Sequence, residues 1–206
     1  MNELIPEKEY CYTYEILASR FIALLLPLRD SSNLEGTLEE IRQRYPKASH
    51  YCYATRVRSF EGCSDDGEPA HSAGLPLLEI LRKKDIAYGL LVVVRYFGGT
   101  KLGASRLARV YRETAAICVN EATFAEIIPA LEAEVSLDYS SFEALKKPAE
   151  NAGVELKVLS FDERVRLLLR GDAKIMPSFL SALPKGSLIA EKESTIQRSI
   201  GYDSKH

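Results

Sequence analysis

Apolar and polar positions alternate in the first part of the chain in patterns typical of strands and helices. Tyr10–Ile16 alternates with a period of two and is predicted to be a strand. Phe21–Leu26 is almost continuously apolar, which predicts a more buried strand. Asn33–Arg44 places Leu and Ile at helical spacing before a proline, which predicts a helix. Ser49–Val57 again has the composition of a strand.

The next part of the chain leads from a polar loop to a strongly apolar strand. Glu61–Gly74 is polar and carries Gly and Pro, so we expect a loop. Leu75–Lys84 has leucines on one side and predicts a short helix. Gly89–Phe97 is rich in β-branched residues, and its run Leu90–Val94 indicates a strand buried on both faces. A glycine-rich turn and a helix from Ala104 to about residue 122 follow.

After Pro129, which we take as a domain boundary, the pattern predicts β-α-β-β-α-β. This order in about 75 residues is that of the split β-α-β or ferredoxin-like fold. Pro148 is expected to kink or shorten the first helix. The segment from Thr195 has no clear period. The predicted elements are Leu131–Leu137, Ser140–Asn151, Val154–Phe161, Arg164–Leu169 (joined by a hairpin at Asp162-Glu163), Asp172–Leu183 and Ser187–Glu193. The chain is therefore expected to be α+β with domains at 1–128 and 129–206.

Composition excludes two broad classes of protein. Of 206 residues, 46% are hydrophobic and 27% charged, which is ordinary for a globular chain and argues against disorder. The formal charge of -2 argues against a uniformly basic nucleic-acid binder, so any such binding needs a local basic patch. Charge does not separate the two halves, because residues 1–128 have 16 basic and 17 acidic groups and residues 129–206 have 11 and 12.

The sequence favours a reducing, cytoplasmic location with no membrane partner. Its acidic start lacks the basic and apolar regions of a secretory signal. The longest apolar runs, Phe21–Leu28 and Leu90–Val94, are far shorter than the ~20 residues of a membrane span. The four cysteines form no C-x-x-C pair, so the sequence predicts neither a disulfide framework nor a zinc site.

The strongest candidate for a ligand site is the segment Arg95–Gly103, RYFGGTKLG, which joins a buried strand to a helix. Glycines allow close approach of the backbone, and a helix N-terminus with a nearby lysine favours an anion. The spacing matches neither the P-loop nor the dinucleotide-binding motif. A tight turn without a ligand is the alternative. The candidate phosphate-binding residues are Arg95, Tyr96, Gly98, Gly99, Lys101, Gly103, Arg106, Arg109 and Arg112.

The helix that follows has one apolar and one basic side. Leu107, Tyr111, Ala115 and Cys118 share one face at 100° per residue, and the three arginines lie on the other. Arginine suits phosphate through its planar, forked donors. Three like charges without interleaved glutamates repel one another, which favours an anionic partner over a solvated face.

A second candidate is the acidic segment Ser64–Pro69, SDDGEP. Its three carboxylates are candidates to bind Mg²⁺ or to contact the basic helix, but the spacing is not that of an EF-hand. The alternative is an ordinary turn, since Asp, Gly and Pro are turn formers. The residues of this loop are Ser64, Asp65, Asp66, Gly67, Glu68, Pro69 and His71.

No catalytic constellation is recognisable, so we assign no catalytic residue and no cofactor. His50, His71, Cys52, Cys63, Ser64 and Asp66 are the residues from which a Cys or Ser hydrolase would be built. The nucleophile-elbow motif G-x-S-x-G is absent. His50 and Cys52 lie on the same side of a strand and are expected to be packed.

At these motifs the sequence resembles the IMPACT family, in its prokaryotic YigZ-like branch. The resemblance covers most of residues 15–120 and is carried by SRFIA (19–23), HYCYA (50–54), SDDGEP (64–69), AGLP (73–76), VRYFGGTKLG (94–103), Leu107 and RVY (109–111). Two departures stand out: His71-Ser72 replaces a small Gly-Thr pair, and Ala104-Ser105-Arg106 is more basic and less flexible than the usual continuation.

The resemblance implies both a fold and a role. The first domain would share the β-α-β fold of a small-subunit ribosomal protein and of domain IV of elongation factor G, and the second would be ferredoxin-like. Eukaryotic members regulate translation, which implies an RNA- or ribosome-associated regulator here. Two alternatives stay open: a metal-assisted hydrolase of a phosphorylated or peptide-like small molecule, and a protein-interaction module in translational or stress control.

Overall fold

A computed structural model of the chain describes residues 3–199, which form two compact units. One unit holds the chain up to Glu126 together with Ser199, and the other is Ile127–Arg198. Both mix helices with antiparallel strands, as the α+β prediction requires. Of the segment from Thr195, which the sequence left unassigned, residues 200–206 lie outside the described part.

The first unit is built on the sheet β2-β3-β6-β4-β5, in which all neighbours are antiparallel. A single 3-10 turn precedes its first helix. Its elements are β1 (Glu3–Pro6), β2 (Tyr10–Ile16), β3 (Ser19–Pro27), α1 (Leu34–Arg44), β4 (His50–Val57), β5 (Phe60–Ser64), α2 (Gly74–Lys83), β6 (Tyr88–Tyr96) and α3 (Ala104–Asn120).

Helices cover both faces of this sheet. Leu91 and Val93 of β6 pack in one core with α2 and α3, whereas Leu90, Val92 and Val94 pack in a second core with α1. All five side chains are fully buried. The prediction that this strand is buried on both faces is confirmed, and the reason is a helix layer on each side of an antiparallel sheet.

The second unit has the predicted order of elements. The strands of this unit lie in the order β10-β7-β9-β8, with β9 antiparallel to both of its neighbours. Leu167 and Leu169 of β9 are fully buried in a core with Phe142 and Leu145 of α4. The elements are β7 (Phe124–Leu137), α4 (Tyr139–Ala152), β8 (Glu155–Phe161), β9 (Val165–Asp172), α5 (Met176–Ser181) and β10 (Leu188–Ser199).

Both prolines with a predicted structural effect lie inside continuous elements. Helix α4 runs through Pro148 to Ala152, so the expected shortening is wrong. Pro148 is on the exposed side, where water can satisfy the freed carbonyl, while Leu145 and Ala149 hold the opposite face in the core. Pro129, taken as a boundary, lies within strand β7.

Other corrections concern short elements. The loop predicted from Glu61 begins as strand β5, which pairs with β4 from Val57↔Phe60 to Tyr53↔Ser64. Strand β1 was not predicted. Helix α5 is shorter than predicted, because its first predicted residue, Asp172, ends β9. None of the helices among residues 3–199 has the length and apolar character of a membrane span.

Candidate functional site

The glycine-rich turn leaves β6 along a path fixed by two serines. The backbone N–H of Phe97 donates to Ser49 Oγ and that of Gly98 to Ser19 Oγ, both at 3.0 Å. Gly98 packs so closely on the backbone of Ala18 that a Cβ would lie 2.1 Å from its carbonyl carbon. The turn therefore needs glycine at position 98 because of a close approach between two backbone segments.

Two further glycines complete the turn with backbone angles that disfavour other residues. Gly99 and Gly103 have φ of 87° and 79°. Gly103 is also the N-cap of α3, and its carbonyl accepts from the N–H of Leu107 at 2.9 Å. The turn thus delivers the chain into the N-terminus of α3, as the sequence predicted.

The acidic loop is organised by Asp65, whose carboxylate accepts three backbone N–H groups. Oδ1 accepts from Ala73 and Gly74 at 2.9 and 2.8 Å, and Oδ2 accepts from His71 at 2.8 Å. Burial alone would raise the pKa of Asp65, but these hydrogen bonds outweigh it and hold the pKa below the ordinary 3.8. Asp65 therefore fixes the loop and the start of α2.

We expect Asp65→Asn to lower the free energy of unfolding by about 1–2 kcal/mol at neutral pH. Because the pKa of Asp65 is lower in the folded than in the unfolded chain, its contribution is complete above the ordinary value and is lost as pH falls through the folded value. The gap between wild type and variant should therefore shrink as pH falls below about 4. Urea unfolding from pH 7 to pH 3 tests this.

Asp85→Asn is the matched control, since Asp85 is an exposed turn residue of the same unit. Its φ of 52° suits Asn as well as Asp. If the difference in the free energy of unfolding between wild type and Asp65→Asn stayed constant from pH 7 to pH 3, the Asp65 carboxylate would not stabilise the loop as described.

The rest of the acidic loop makes equally specific local contacts. Asp66, at a φ of 43°, accepts the N–H of Tyr51 on Oδ2 at 2.6 Å, and its carbonyl lies 2.7 Å from His50 Nδ1. Its own N–H donates to Ser64 Oγ at 3.1 Å. Gly67 has a φ of 82° and lies beside His50.

Glu68 joins the acidic loop to the strand and helix of the second motif. Its carboxylate is 4% exposed and forms an ion pair with the guanidinium of Arg95, itself 6% exposed. The hydroxyl of Tyr111 donates to Glu68 Oε1 at 2.7 Å, and His50 Nε2 lies 3.8 Å from Oε2. The acidic loop, which the sequence offers as a contact for the basic helix, thus reaches that helix at Tyr111 and the preceding strand at Arg95.

Cys52 is part of the same buried network, and its thiol is unreactive. Its thiol donates to the carbonyl of Asp65 at 3.0 Å and contacts the hydroxyl of Tyr111 at 3.3 Å. Burial raises the pKa of Cys52 to about 12, with the nearby carboxylates acting in the same direction. Burial also raises the pKa of Tyr111. A thiol held neutral in this way is not a nucleophile at neutral pH.

The three carboxylates of the loop do not converge. Asp65 and Asp66 bind backbone N–H groups at separate places, and Glu68 turns inward to Arg95. Across residues 3–199, no cluster of three or more His, Cys, Asp or Glu side chains is arranged to hold a metal ion. The loop is therefore built as a structural connection between elements.

The predicted basic residues divide into three groups. Lys101 and Arg106 are exposed and, within residues 3–199, have no ion-pair partner. Arg109 and Arg112 pair at the surface with Glu113 and Glu79, at 2.7 and 3.3 Å. Two of the three arginines on the basic side of α3 therefore have their charge partly balanced, which the sequence did not indicate. Arg95 is buried against Glu68, and the ring of Tyr96 lies under the guanidinium of Arg20 at 4.7 Å.

A cavity of about 360 Å³ opens between the two motifs. We call it the motif cavity. Its polar lining is His50, Glu68, Arg95 and Lys101, and its apolar lining is Pro69, Phe97, Leu102 and Leu107, with Gly103 and Ala104 at the start of α3. His71, at a φ of 62°, is exposed and is not part of this lining.

Sequence reasoning missed the polar roles of Tyr111, Ser19 and Ser49. Tyr111 was assigned to the packing face of α3, which is correct for its ring, but its hydroxyl reaches Glu68. Its polar tip was the available signal, because a buried tyrosine hydroxyl normally finds a hydrogen-bond partner. The two serines carried no comparable signal, because the backbone N–H groups that they bind, those of Phe97 and Gly98, are far from them in the sequence.

Comparison with known proteins places these motifs in one family. Residues 17–119 match the Impact N-terminal domain. An IMPACT family member of Haemophilus influenzae is 30% identical over 198 residues, covering 89% of this chain and 92% of that protein. YigZ of Escherichia coli is 30% identical over 175 residues, covering 81% and 83%. A crystal structure of a hypothetical protein aligns over 92% of this chain and 96% of its own, with a TM-score of 0.66 and 27% identity.

Proposed function

Because the chain belongs to the IMPACT family, we propose that it is a cytoplasmic RNA- or ribosome-associated regulator of translation. In this proposal the glycine-rich turn and the exposed side of α3 bind RNA phosphates. The observation that carries it is the pair of exposed cations, Lys101 and Arg106, which flank the N-terminus of α3 and have no ion-pair partner among the described residues. Helix N-termini and unpaired cations both attract phosphate.

Arg109 and Arg112 extend the same surface despite their acidic partners. Both of their ion pairs are exposed, and such pairs contribute only about 0–1 kcal/mol each. A phosphate can therefore replace Glu113 or Glu79 at small cost. Arg95 takes a different part in the proposal: it holds the acidic loop against the turn and does not contact RNA phosphate.

We extend the proposal to the fold assignments implied by the family. The strand order β10-β7-β9-β8 with its β-α-β-β-α-β sequence supports a ferredoxin-like second domain at 129–206. The match over residues 17–119 supports an IMPACT-type first domain at 1–128. Its likeness to the ribosomal-protein and elongation-factor fold is part of the proposal.

The test is RNA binding across a salt series. We expect wild type to bind RNA with a log-log salt slope of about -2 to -4, because each phosphate contact contributes about 0.7–0.9. The triple variant Lys101→Ala, Arg106→Ala, Arg109→Ala should reduce the slope by about two units or more and weaken binding at every salt concentration. Fluorescence anisotropy with labelled RNA measures both.

A second triple variant controls for net charge. The variant Lys146→Ala, Lys147→Ala, Lys157→Ala also removes three positive charges, but from exposed positions of the second unit. It should leave the slope almost unchanged. Equal loss in both variants, or no binding by wild type at low salt, would contradict the proposed function.

A further inference from the structure

We propose that the motif cavity receives one unstacked nucleotide, so that this surface binds single-stranded RNA more tightly than duplex. The inference rests on the proposed function and adds the form of RNA. The cavity volume of about 360 Å³ falls in the range of ligand pockets. A duplex keeps its bases stacked inside the helix, so only a single strand, loop or end can place a base in such a cavity.

Phe97 provides a surface on which a base can stack. Its side chain lines the motif cavity and remains 45% exposed. It is held in place, because Ser49 binds its backbone N–H and the guanidinium of Arg95 lies 5.3 Å from its ring centre. A large aromatic ring that is fixed and half open to solvent is the side chain on which single-stranded nucleic acids stack.

Among residues 3–199, the two most buried polar groups of the lining, Arg95 and Glu68, each keep an atom without a hydrogen bond. Arg95 Nε is buried and has no hydrogen-bond partner in the described structure. Glu68 Oε1 already binds both Arg95 and Tyr111, whereas the neighbour of Oε2 is His50 at 3.8 Å, beyond hydrogen-bonding distance. A nucleotide offers both donors and acceptors through its base edge and ribose hydroxyls, which a purely apolar ligand does not.

The cationic rim lies where the backbone of an inserted nucleotide must run. Lys101 lines the cavity itself, and Arg106 is exposed two residues after Ala104, where the cavity ends at the start of α3. A nucleotide with its base against Phe97 therefore has a cation and a helix N-terminus available for its phosphates. Stacking and phosphate contacts act together at one place, as in other binders of single strands.

The experiment compares a short single-stranded RNA with its duplex, by anisotropy and by fluorescence of 2-aminopurine placed within the strand. Wild type should bind the single strand more tightly and change the 2-aminopurine signal. Phe97→Ala should weaken single-strand binding by about 5- to 150-fold, since stacking contributes about 1–3 kcal/mol per base. It should leave duplex binding unchanged, and Phe97→Tyr should retain wild-type affinity.

Phe60→Ala is the matched control, because Phe60 is 44% exposed on strand β5 and does not line the cavity. Equal effects of the Phe97 and Phe60 variants, or duplex binding at least as tight as single-strand binding, would overturn the inference. If the single-strand inference failed but the salt slope still depended on Lys101 and Arg106, the proposed RNA-binding function would stand. If wild type bound neither the single strand nor the duplex, the inference and the proposed function would both be wrong.

Discussion

Glu68→Gln is expected to lower the free energy of unfolding by about 3–5 kcal/mol. The substitution preserves size and leaves the guanidinium of Arg95 buried without a counter-charge. Removing one partner of a buried ion pair is costly, because the remaining charge has lost its hydration and gains nothing in return. Urea unfolding of the full chain at neutral pH measures the effect.

Glu79→Gln makes the same chemical change at an exposed ion pair with Arg112. It should alter the free energy of unfolding by less than about 1 kcal/mol. The double variant Glu68→Gln, Arg95→Met removes both buried charges and should recover part of the loss. A single Glu68→Gln variant as stable as Glu79→Gln would show that the buried pair does not hold the two motifs together.

The sequence predicted the elements whose pattern reflects their own burial. Leu90–Val94 is apolar at every position, and it forms the central strand with helices on both faces. Strand β5 could not be predicted in this way, because it is a short polar edge strand whose pairing with β4 is decided by the fold. The helix over Ser140–Asn151 was predicted, but the expected shortening at Pro148 is wrong, since the packed face of α4 outweighs one lost backbone hydrogen bond.

For the candidate site, opposite charge predicted that the motifs meet but not which residues pair. Arg95 was grouped with the phosphate-binding cations because it precedes the glycine-rich turn. On β6 it lies two residues after Val93, on the face that packs against α2 and α3, where its guanidinium pairs with Glu68. In the sheet Arg95 is paired with Phe21 of β3 and with His50 of β4. His50 contacts the acidic loop, and Phe21 belongs to the core that α2 and α3 cover.

The unused polar groups of the cavity could not be predicted at all. In the described part of the chain Arg95 Nε has no hydrogen-bond partner. This depends on the positions of Glu68, Tyr111 and His50, which the packing of β4, β5, β6 and α3 determines. Sequence identifies residue types capable of binding RNA. The structure shows that the charge of Arg95 is neutralised by Glu68, whereas Lys101 and Arg106 have no ion-pair partner within residues 3–199.

Gly98→Ala is expected to destabilise the first unit by about 3–4 kcal/mol. The added Cβ would lie 2.1 Å from the carbonyl carbon and 2.4 Å from the carbonyl oxygen of Ala18, and 2.4 Å from the backbone N of Ser19. Backbone atoms cannot rotate aside as a side chain can, so β3 and the turn must separate. That separation also breaks the hydrogen bond from Gly98 N–H to Ser19 Oγ.

Gly36→Ala supplies the comparison, because a Cβ at this exposed position of α1 meets nothing within 4 Å. It should stabilise the chain by about 0.5–1 kcal/mol, since alanine loses less backbone freedom in a helix. Paired urea melts at equal protein concentration measure both variants. Loss of less than about 1 kcal/mol in Gly98→Ala would show that the turn can move away from Ala18, and that position 98 does not fix the surface next to Phe97.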